Sequence, residues 1–188
     1  MPKEFCFTPR LKLMLDHLEA VRELHKYVEE GGMEKDVSGL RNELRQDLDR
    51  HLLTPAGWEG LDLQKGTLYS RPRKKWGVVR GDYLFLEIYM AWPVGDYDSY
   101  VNLYVPAQWK RRKEFIAQLK PPRGFERVDK YSDGEWTEET SVFKCVRYED
   151  HVSSGVFDGG AFIKAIQEAA ASLVQIEGDI DRILGHLG

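Results

Sequence analysis

The sequence predicts an α+β fold with a small, mainly antiparallel sheet of four to five strands, and two patterns support this prediction. Apolar residues alternate with other residues over 83–106, which is typical of two adjacent strands. Near both ends of the chain, apolar residues recur every three or four positions, which is typical of amphipathic helices. We therefore expect a single domain over 1–188, with a helical hairpin over 1–55 and the sheet plus a long C-terminal helix over 56–188.

Residues 83–106 predict a β-hairpin at the centre of the sheet, with turn residues Gly95, Asp96 and Asp98 between its strands. Because side chains alternate along a strand, one face of the hairpin is aliphatic and the other aromatic. The aliphatic face carries Leu84, Leu86, Ile88 and Met90, and the terminal helices are expected to cover it. The aromatic face carries Phe85, Glu87, Tyr89 and Tyr104. Either the middle helix covers this second face through Trp109 and Phe115, or a protein partner binds it.

The first helix of the predicted hairpin follows Thr8-Pro9, a capping hydroxyl with a proline in the first turn. Gly31-Gly32 should end it, because glycine accepts the left-handed backbone angles found after helices. The second helix is expected from about Asp36 to Thr54-Pro55. The two should pack as an antiparallel pair.

Five further segments complete the predicted sheet and its connections. Pro72 should confine any continuous strand around it to a sheet edge, because proline lacks the N–H needed by a second neighbour. Pro106 should open the middle helix, and Pro121-Pro122 should close it. The strands are expected at Thr67–Ser70, Trp76–Val79, Gly124–Lys130 and Thr140–Tyr148, and the middle helix at Pro106–Leu119.

The C-terminal helix should begin after Asp158 and carry an apolar seam with a seven-residue spacing. Such a seam needs a partner, which is either the sheet or the N-terminal helix of the same chain, or a second copy of the protein. The residues predicted to serve self-association in the second case are Ile166, Leu173, Ile176, Ile180 and Ile183.

Composition argues for a folded protein, with 42% hydrophobic and 31% charged residues and no low-complexity tract. The net charge of −4 excludes binding to nucleic acid through overall charge, so such binding requires a local basic patch. The sequence shows neither the apolar core of a signal peptide nor a run of about 20 apolar residues that could span a membrane. With only Cys6 and Cys145 as thiols, a cytoplasmic location is expected.

The chain over about residues 83–187 resembles an uncharacterised module that often follows PD-(D/E)XK-type nuclease domains in prokaryotic restriction-related proteins. The resemblance lies in VNLYVP at Val101–Pro106, EFIAQL at Glu114–Leu119, GFE at Gly124–Glu126, a strand at Phe143–Tyr148 and a long final helix. It implies a non-catalytic α+β companion module in a defence or mobile-element setting. The N-terminal helices fall outside it.

No catalytic or metal-binding motif stands out in the sequence. A nuclease of that superfamily needs an Asp and a (Glu/Asp)-x-Lys, so that carboxylates hold a metal while the lysine assists the attacking water. Asp82 and Glu87 have strand-like spacing, but Tyr89 occupies the position that lysine would need. The five histidines are scattered without ligand spacing. We therefore expect no metal, no cofactor and no small-molecule substrate.

Basic and aromatic residues are interleaved in two segments, 65–80 and 109–113. Basic side chains neutralise phosphates and flat rings stack on bases, so both segments are candidates for nucleic-acid binding. The candidate residues are Arg71, Arg73, Lys74, Lys75, Trp76, Arg80, Trp109, Lys110, Arg111, Arg112 and Lys113. Alternatively, these charges are solvated or pair with the acidic passage over 133–158.

The leading functional prediction is therefore a non-enzymatic interaction protein of prokaryotic or phage origin, acting in or against a nucleic-acid-directed system. It should bind a protein partner or associate with itself. Direct nucleic-acid binding through the basic segments is the alternative, and a metal-dependent nuclease using Asp82 and Glu87 is a third hypothesis that fits the sequence least well.

Overall fold

A computed structural model describes residues 9–53, 57–63, 66–79, 82–91, 98–106, 108–127 and 140–187. The chain forms two compact units, Met1–Asn42 and Glu43–Gly188. The sequence predicted one domain with its helical part ending at residue 55, whereas the structure divides the chain within its third helix.

The first unit contains helices α1 (Pro9–Asp16) and α2 (Leu18–Glu29) and the start of α3 (Gly32–Leu52). Backbone hydrogen bonds from His17 N to Leu13 O (3.2 Å) and from Val21 N to His17 O (3.0 Å) link α1 to α2 across a bend. The predicted first helix is therefore present with an irregular turn in it.

The turn between α2 and α3 follows the glycine signal in the sequence. Gly31 has a φ of +73°, the left-handed conformation predicted for the end of the first helix. The next helix begins at Gly32 rather than at Asp36, because one glycine is sufficient for the turn. Across it, the Tyr27 hydroxyl donates a hydrogen bond to Asp36.

The second unit is built on an antiparallel sheet with the spatial order β1-β2-β3-β4-β6-β5. Its strands are β1 (Glu59–Leu63), β2 (Gly66–Val79), β3 (Asp82–Ala91), β4 (Ser99–Tyr104), β5 (Glu126–Arg127) and β6 (Thr140–Val146). The antiparallel sheet is confirmed, but the predicted count of four to five strands is too low for the described residues.

Two features of β1 and β2 explain the difference in strand count. The sequence predicted no strand over the residues of β1. All five of them are exposed, so this strand has no buried face to mark it. The β2 strand runs through Pro72, where two strands were predicted. Its pairing with β1 ends at Ser70, so Pro72 pairs only with β3 and its missing N–H is tolerated.

The central hairpin is confirmed as strands β3 and β4, paired in the register Phe85↔Tyr104 and Glu87↔Asn102. Its aliphatic face is fully buried, with 0% exposure at Leu84, Leu86, Ile88, Met90, Val101 and Leu103. The predicted turn residues Gly95 and Asp96 lie outside the described residues.

The remaining helices are α4 (Arg112–Gln118), α5 (Gly159–Val174) and α6 (Glu177–Leu187). The middle helix α4 is shorter than predicted, because the chain after Pro106 forms turns closed by Trp109 N to Pro106 O (3.2 Å) and Arg112 N to Trp109 O (3.0 Å). Before α5 come a 3₁₀ turn at Glu149–His151 and the short strand pair β7 (Val152–Ser153) and β8 (Val156–Phe157). The predicted cap of α5 is confirmed, since the Asp158 carboxylate accepts a bond from Ala161 N at 2.9 Å.

The C-terminal helical segment lies within the core of the second unit. A turn at Gln175–Ile176 divides it into α5 and α6, and α5 contacts β3, β4 and β6. The residues assigned to self-association, Ile166, Leu173, Ile176, Ile180 and Ile183, are all buried. This corrects that assignment, because side chains that form the core cannot also form a surface for a second copy. Among the described residues, no helix is both long and apolar enough to cross a membrane.

Candidate functional site

A groove of about 680 Å³ opens in the second unit between the end of β2, the turn before α4, and α6. Its apolar walls include Val78, Leu184 and Leu187, and its cationic residues are Lys75 and Arg111. Trp76 and Trp109 also line it. The fold therefore brings residues of both predicted basic and aromatic segments to one groove, although they lie more than 30 residues apart in the sequence.

The Asp181 carboxylate lies in this groove and is held by two donors. Trp76 Nε1 donates to Oδ1 at 2.7 Å, and Lys75 Nζ donates to Oδ2 at 2.6 Å. The hydrogen bond from Lys75, followed by that from Trp76, lowers the pKa of Asp181. A carboxylate with a lowered pKa and two fixed donors is a structural anion and is poorly suited to general acid or base catalysis near pH 7.

The pairing of Asp181 predicts a specific loss of stability in acid. Because the folded-state pKa is lowered, the pairing contributes stability above the unfolded-state pKa, and this contribution is lost as pH falls through the folded-state pKa. We expect Asp181→Asn to be less stable than wild type at pH 7, with the difference shrinking below about pH 4. Urea denaturation at both pH values measures it. Asp179→Asn is the control, since Asp179 pairs with Arg182 of the same helix, at 3.1 Å. A pH-independent difference for Asp181→Asn would contradict the prediction.

Arg71, Arg73 and Lys75 of β2 are paired with acids of α6. Arg71 Nε contacts Glu177 Oε1 at 3.0 Å, and the Arg73 guanidinium contacts both oxygens of the same carboxylate at 2.9 and 2.8 Å. The side chains of Arg71 and Arg73 are 15% and 32% exposed. These partners come from α6 and not from the acidic passage over 133–158, of which 133–139 lie outside the described residues. Arg80 also lies outside them, and only the backbone of Lys74 is described.

The second basic segment is more accessible. Lys110 and Lys113 are exposed, and neither has an ion pair within the described part of the chain. Arg111 is 47% exposed and contacts Glu114 at 3.9 Å, while Arg112 is half-buried. In this segment, an external ligand can therefore reach Lys110 and Arg111 in the turn before α4 and Lys113 in its first turn.

The aromatic residues of these segments belong to the core. Trp76 and Tyr69 are 0% exposed, and the Tyr69 hydroxyl donates to Asp49 at 2.9 Å. Trp109 is 9% exposed and packs against Phe115 with ring centroids 5.3 Å apart. This corrects the stacking role assigned to Trp76 and Trp109, because base stacking requires an accessible ring face.

The residues predicted to bind a partner lie together on the sheet face opposite the buried aliphatic face. Phe85 stacks on Tyr104 with centroids 4.2 Å apart, and Tyr89 lies 5.2 Å from Tyr100. Glu87 is 8% exposed and accepts a hydrogen bond from the Tyr100 hydroxyl at 2.9 Å.

The middle helix α4 packs on α6, and its Phe115 packs on Trp109, so the two side chains expected to cover the aromatic face contact each other. The sequence reasoning overlooked Tyr100 and Asn102. Both could have been found from the register, because they lie directly opposite Tyr89 and Glu87.

Neither the nuclease hypothesis nor thiol chemistry receives support from the described residues. Glu87 is bound by a tyrosine, the side chain of Asp82 is not described, and no group of three or more potential metal ligands occurs in the described part of the chain. Burial, followed by the nearby Asp98, raises the pKa of Cys145 to about 11. This thiol is therefore protonated near pH 7, which disfavours the thiolate that acts as a nucleophile. Cys6 lies outside the described residues.

Sequence reasoning also overlooked the acids of α6. Glu177 and Asp181 are four residues apart, which places them on one side of a helix, while Arg71, Arg73 and Lys75 alternate along a strand. Two matching rows of opposite charge were thus visible in the sequence.

Comparison of the chain with protein-family models, curated proteins and solved structures found no match.

Proposed function

We propose that this chain is a non-enzymatic interaction protein that binds a protein partner at the groove between β2, the turn before α4, and α6. The observation that carries the proposal is the combination of apolar walls with accessible cations in one open groove. Apolar walls release water when a side chain enters, and cations at the edge orient a partner of opposite charge.

The charges around the groove favour an acidic partner segment. Lys110 and Lys113 add exposed positive charge close in sequence to Arg111, which lines the groove. The chain as a whole carries a net charge of −4, so a cationic surface is a local exception that can guide an acidic segment to this position. An acidic segment with apolar side chains would match both the walls and the edge of the groove.

The resemblance over residues 83–187 supports the wider setting of this proposal. It implies a non-catalytic α+β companion module in a defence or mobile-element setting. Among the described residues that line the groove, the carboxylate of Asp181 is already held by Lys75 and Trp76.

Direct nucleic-acid binding is the second candidate, and one observation favours it. Residues of both basic segments line the same groove, and Lys110 and Lys113 are exposed beside it in sequence. Because Trp76 and Trp109 are buried, such binding would depend on phosphate contacts and would weaken steeply with salt.

Groove variants test the proposal. We expect the wild-type protein, used as bait, to retain a partner. Baits with Leu184→Glu or Arg111→Glu should retain at least about tenfold less of that partner, because each change removes one component of the groove. Lys164→Glu is the matched control, since Lys164 is 74% exposed on α5 and makes the same charge change as Arg111→Glu. Quantitative affinity capture from host lysate measures retention.

Oligonucleotide titrations at about 50 and 200 mM salt, run in parallel, separate the two candidates. Nucleic acid would be the ligand, in place of a protein partner, if oligonucleotide binding were salt-sensitive, were abolished by Lys110→Glu with Lys113→Glu, and were unaffected by Leu184→Glu. Equal retention by all four baits would contradict a role for the groove.

A further inference from the structure

Exposed apolar side chains are concentrated in the first unit. Of the thirteen large hydrophobic side chains that are exposed among the described residues, seven lie in α1 and α2. They are Leu13, Met14, Leu15, Leu18, Leu24, Tyr27 and Val28. The α2 helix has no buried residue. Single exposed apolar residues are normal, but this density along two consecutive helices indicates a surface that another molecule covers.

Apolar residues of α2 form a stripe along one side of the helix, with Leu24 and Val28 exposed and Val21 half-buried. Leu24 and Val28 are four residues apart, and Val21 is three residues before Leu24, so they share one face. The charged residues Glu19, Arg22, Glu23 and Lys26 fall on the other side. An amphipathic helix normally buries such a stripe against another element.

We propose that α1 and α2 form an antiparallel homodimer interface, in which the apolar stripe packs against that of a second copy. Charge supports a second copy as the occupant. In the sequence, the start of this segment carries Arg10 and Lys12, and its end carries Glu29 and Glu30. These two acids also contact His25 at 3.5 Å and Lys26 at 3.7 Å within α2, and their side chains are 69% and 65% exposed. Antiparallel pairing brings the basic start of each copy to the acidic end of the other copy. Because the dimer has two-fold symmetry, this pairing of opposite charges occurs twice.

The same charges exclude other arrangements of this surface. Parallel pairing would place like charges together at both ends. A nucleic acid would meet apolar side chains and the acidic end, so its phosphates would find few cations. The assignment also replaces the self-association predicted for the C-terminal seam, whose side chains are buried in the second unit.

Sedimentation velocity of the full chain over a wide concentration range tests the proposal. Wild type should change from monomer to dimer as concentration rises. Leu24→Glu should raise the dimer dissociation constant at least about 100-fold, because a symmetric dimer loses the leucine contact twice. Leu61→Glu is the matched control, since Leu61 in β1 is 58% exposed and Leu24 is 59% exposed.

Charge reversal tests the antiparallel orientation. Glu29→Lys with Glu30→Lys should weaken the dimer, and adding Arg10→Glu with Lys12→Glu in the same chain should restore it. Far-UV circular dichroism should show unchanged helix content in every variant. The proposal would be overturned if wild type were monomeric at the highest concentration, or if Leu24→Glu dimerised like wild type. It would also be overturned if the second pair of charge changes did not restore the dimer. Leu184→Glu should dimerise normally, so this result is independent of the groove.

Discussion

Replacing Trp76 with alanine is expected to lower the free energy of unfolding of the second unit by about 3–5 kcal/mol, the usual cost of removing a buried aromatic side chain. The ring is 0% exposed, so its loss leaves a large cavity between β2 and α6. The Asp181 carboxylate also loses the donor at 2.7 Å. Typical domains have about 5–15 kcal/mol of stability, so the variant should unfold at markedly lower urea concentration.

Trp76→Phe separates the two contributions. Phenylalanine retains most of the apolar volume but has no N–H for Asp181, so the expected loss is about 1–3 kcal/mol, the cost of removing a hydrogen bond to a charged group. Urea denaturation followed by far-UV circular dichroism measures both variants without depending on tryptophan fluorescence. Equal losses for the two variants, or a loss below about 1 kcal/mol for alanine, would show that the ring does not anchor α6.

The role of Trp76 shows why composition alone misjudged the basic segment. A tryptophan among lysines and arginines suggested a surface that stacks on nucleic-acid bases. In the structure, the ring forms part of the core, and its neighbour Lys75 is bound to Asp181 at 2.6 Å. Local composition cannot distinguish these cases, because both place an aromatic residue beside cations. The difference arises from α6, which lies about 100 residues further along the chain.

The central hairpin was predictable because its evidence is local. Alternation over Leu84 to Met90 requires a strand with one buried face, and the following turn residues require the chain to return. The register then places Phe85 opposite Tyr104, as the two-faced pattern implied. The cap at Asp158 and the left-handed Gly31 were predictable for the same reason, since each depends on a few neighbouring residues.

The partners of the helices were not predictable from periodicity. An apolar stripe shows that a helix face is buried, but it does not identify the element that covers it. The seam through Ile166 and Leu173 packs within the second unit, whereas the stripe through Leu24 and Val28 is exposed in the chain. Both patterns follow the same rule in the sequence, so only tertiary structure could separate them.

The groove could be predicted only in part. Its cations, Lys75 and Arg111, were identified from the sequence, but its walls at Leu184 and Leu187 were not. The proximity of β2 to α6 depends on long-range packing, for which short motifs give no evidence. Charge matching between Arg73 and Glu177 was the one signal available beforehand.

Replacing Gly66 with alanine is expected to destabilise the second unit by about 3 kcal/mol, at the upper end of the range for overpacking. An added Cβ would lie 2.5 Å from the backbone oxygen of Met90 and 2.7 Å from Cζ of Tyr89. A backbone oxygen in a paired strand cannot move away without disturbing the ladder between β2 and β3, where Gly66 pairs with Ala91. The strain should therefore be distributed through the central pairing of the sheet.

Gly60→Ala is the matched control for this substitution, because Gly60 lies in β1, the strand that pairs with β2. Its added Cβ would meet Tyr69 at 3.4 Å and Leu53 at 3.5 Å, which are ordinary contact distances, and a change within about 0.5 kcal/mol is expected. Urea denaturation of both variants measures the difference. If Gly66→Ala were as stable as Gly60→Ala, the close approach of β2 to Met90 and Tyr89 would be wrong. The position of the β1–β2 hairpin against β3 would then need revision, because that approach leaves room for hydrogen alone.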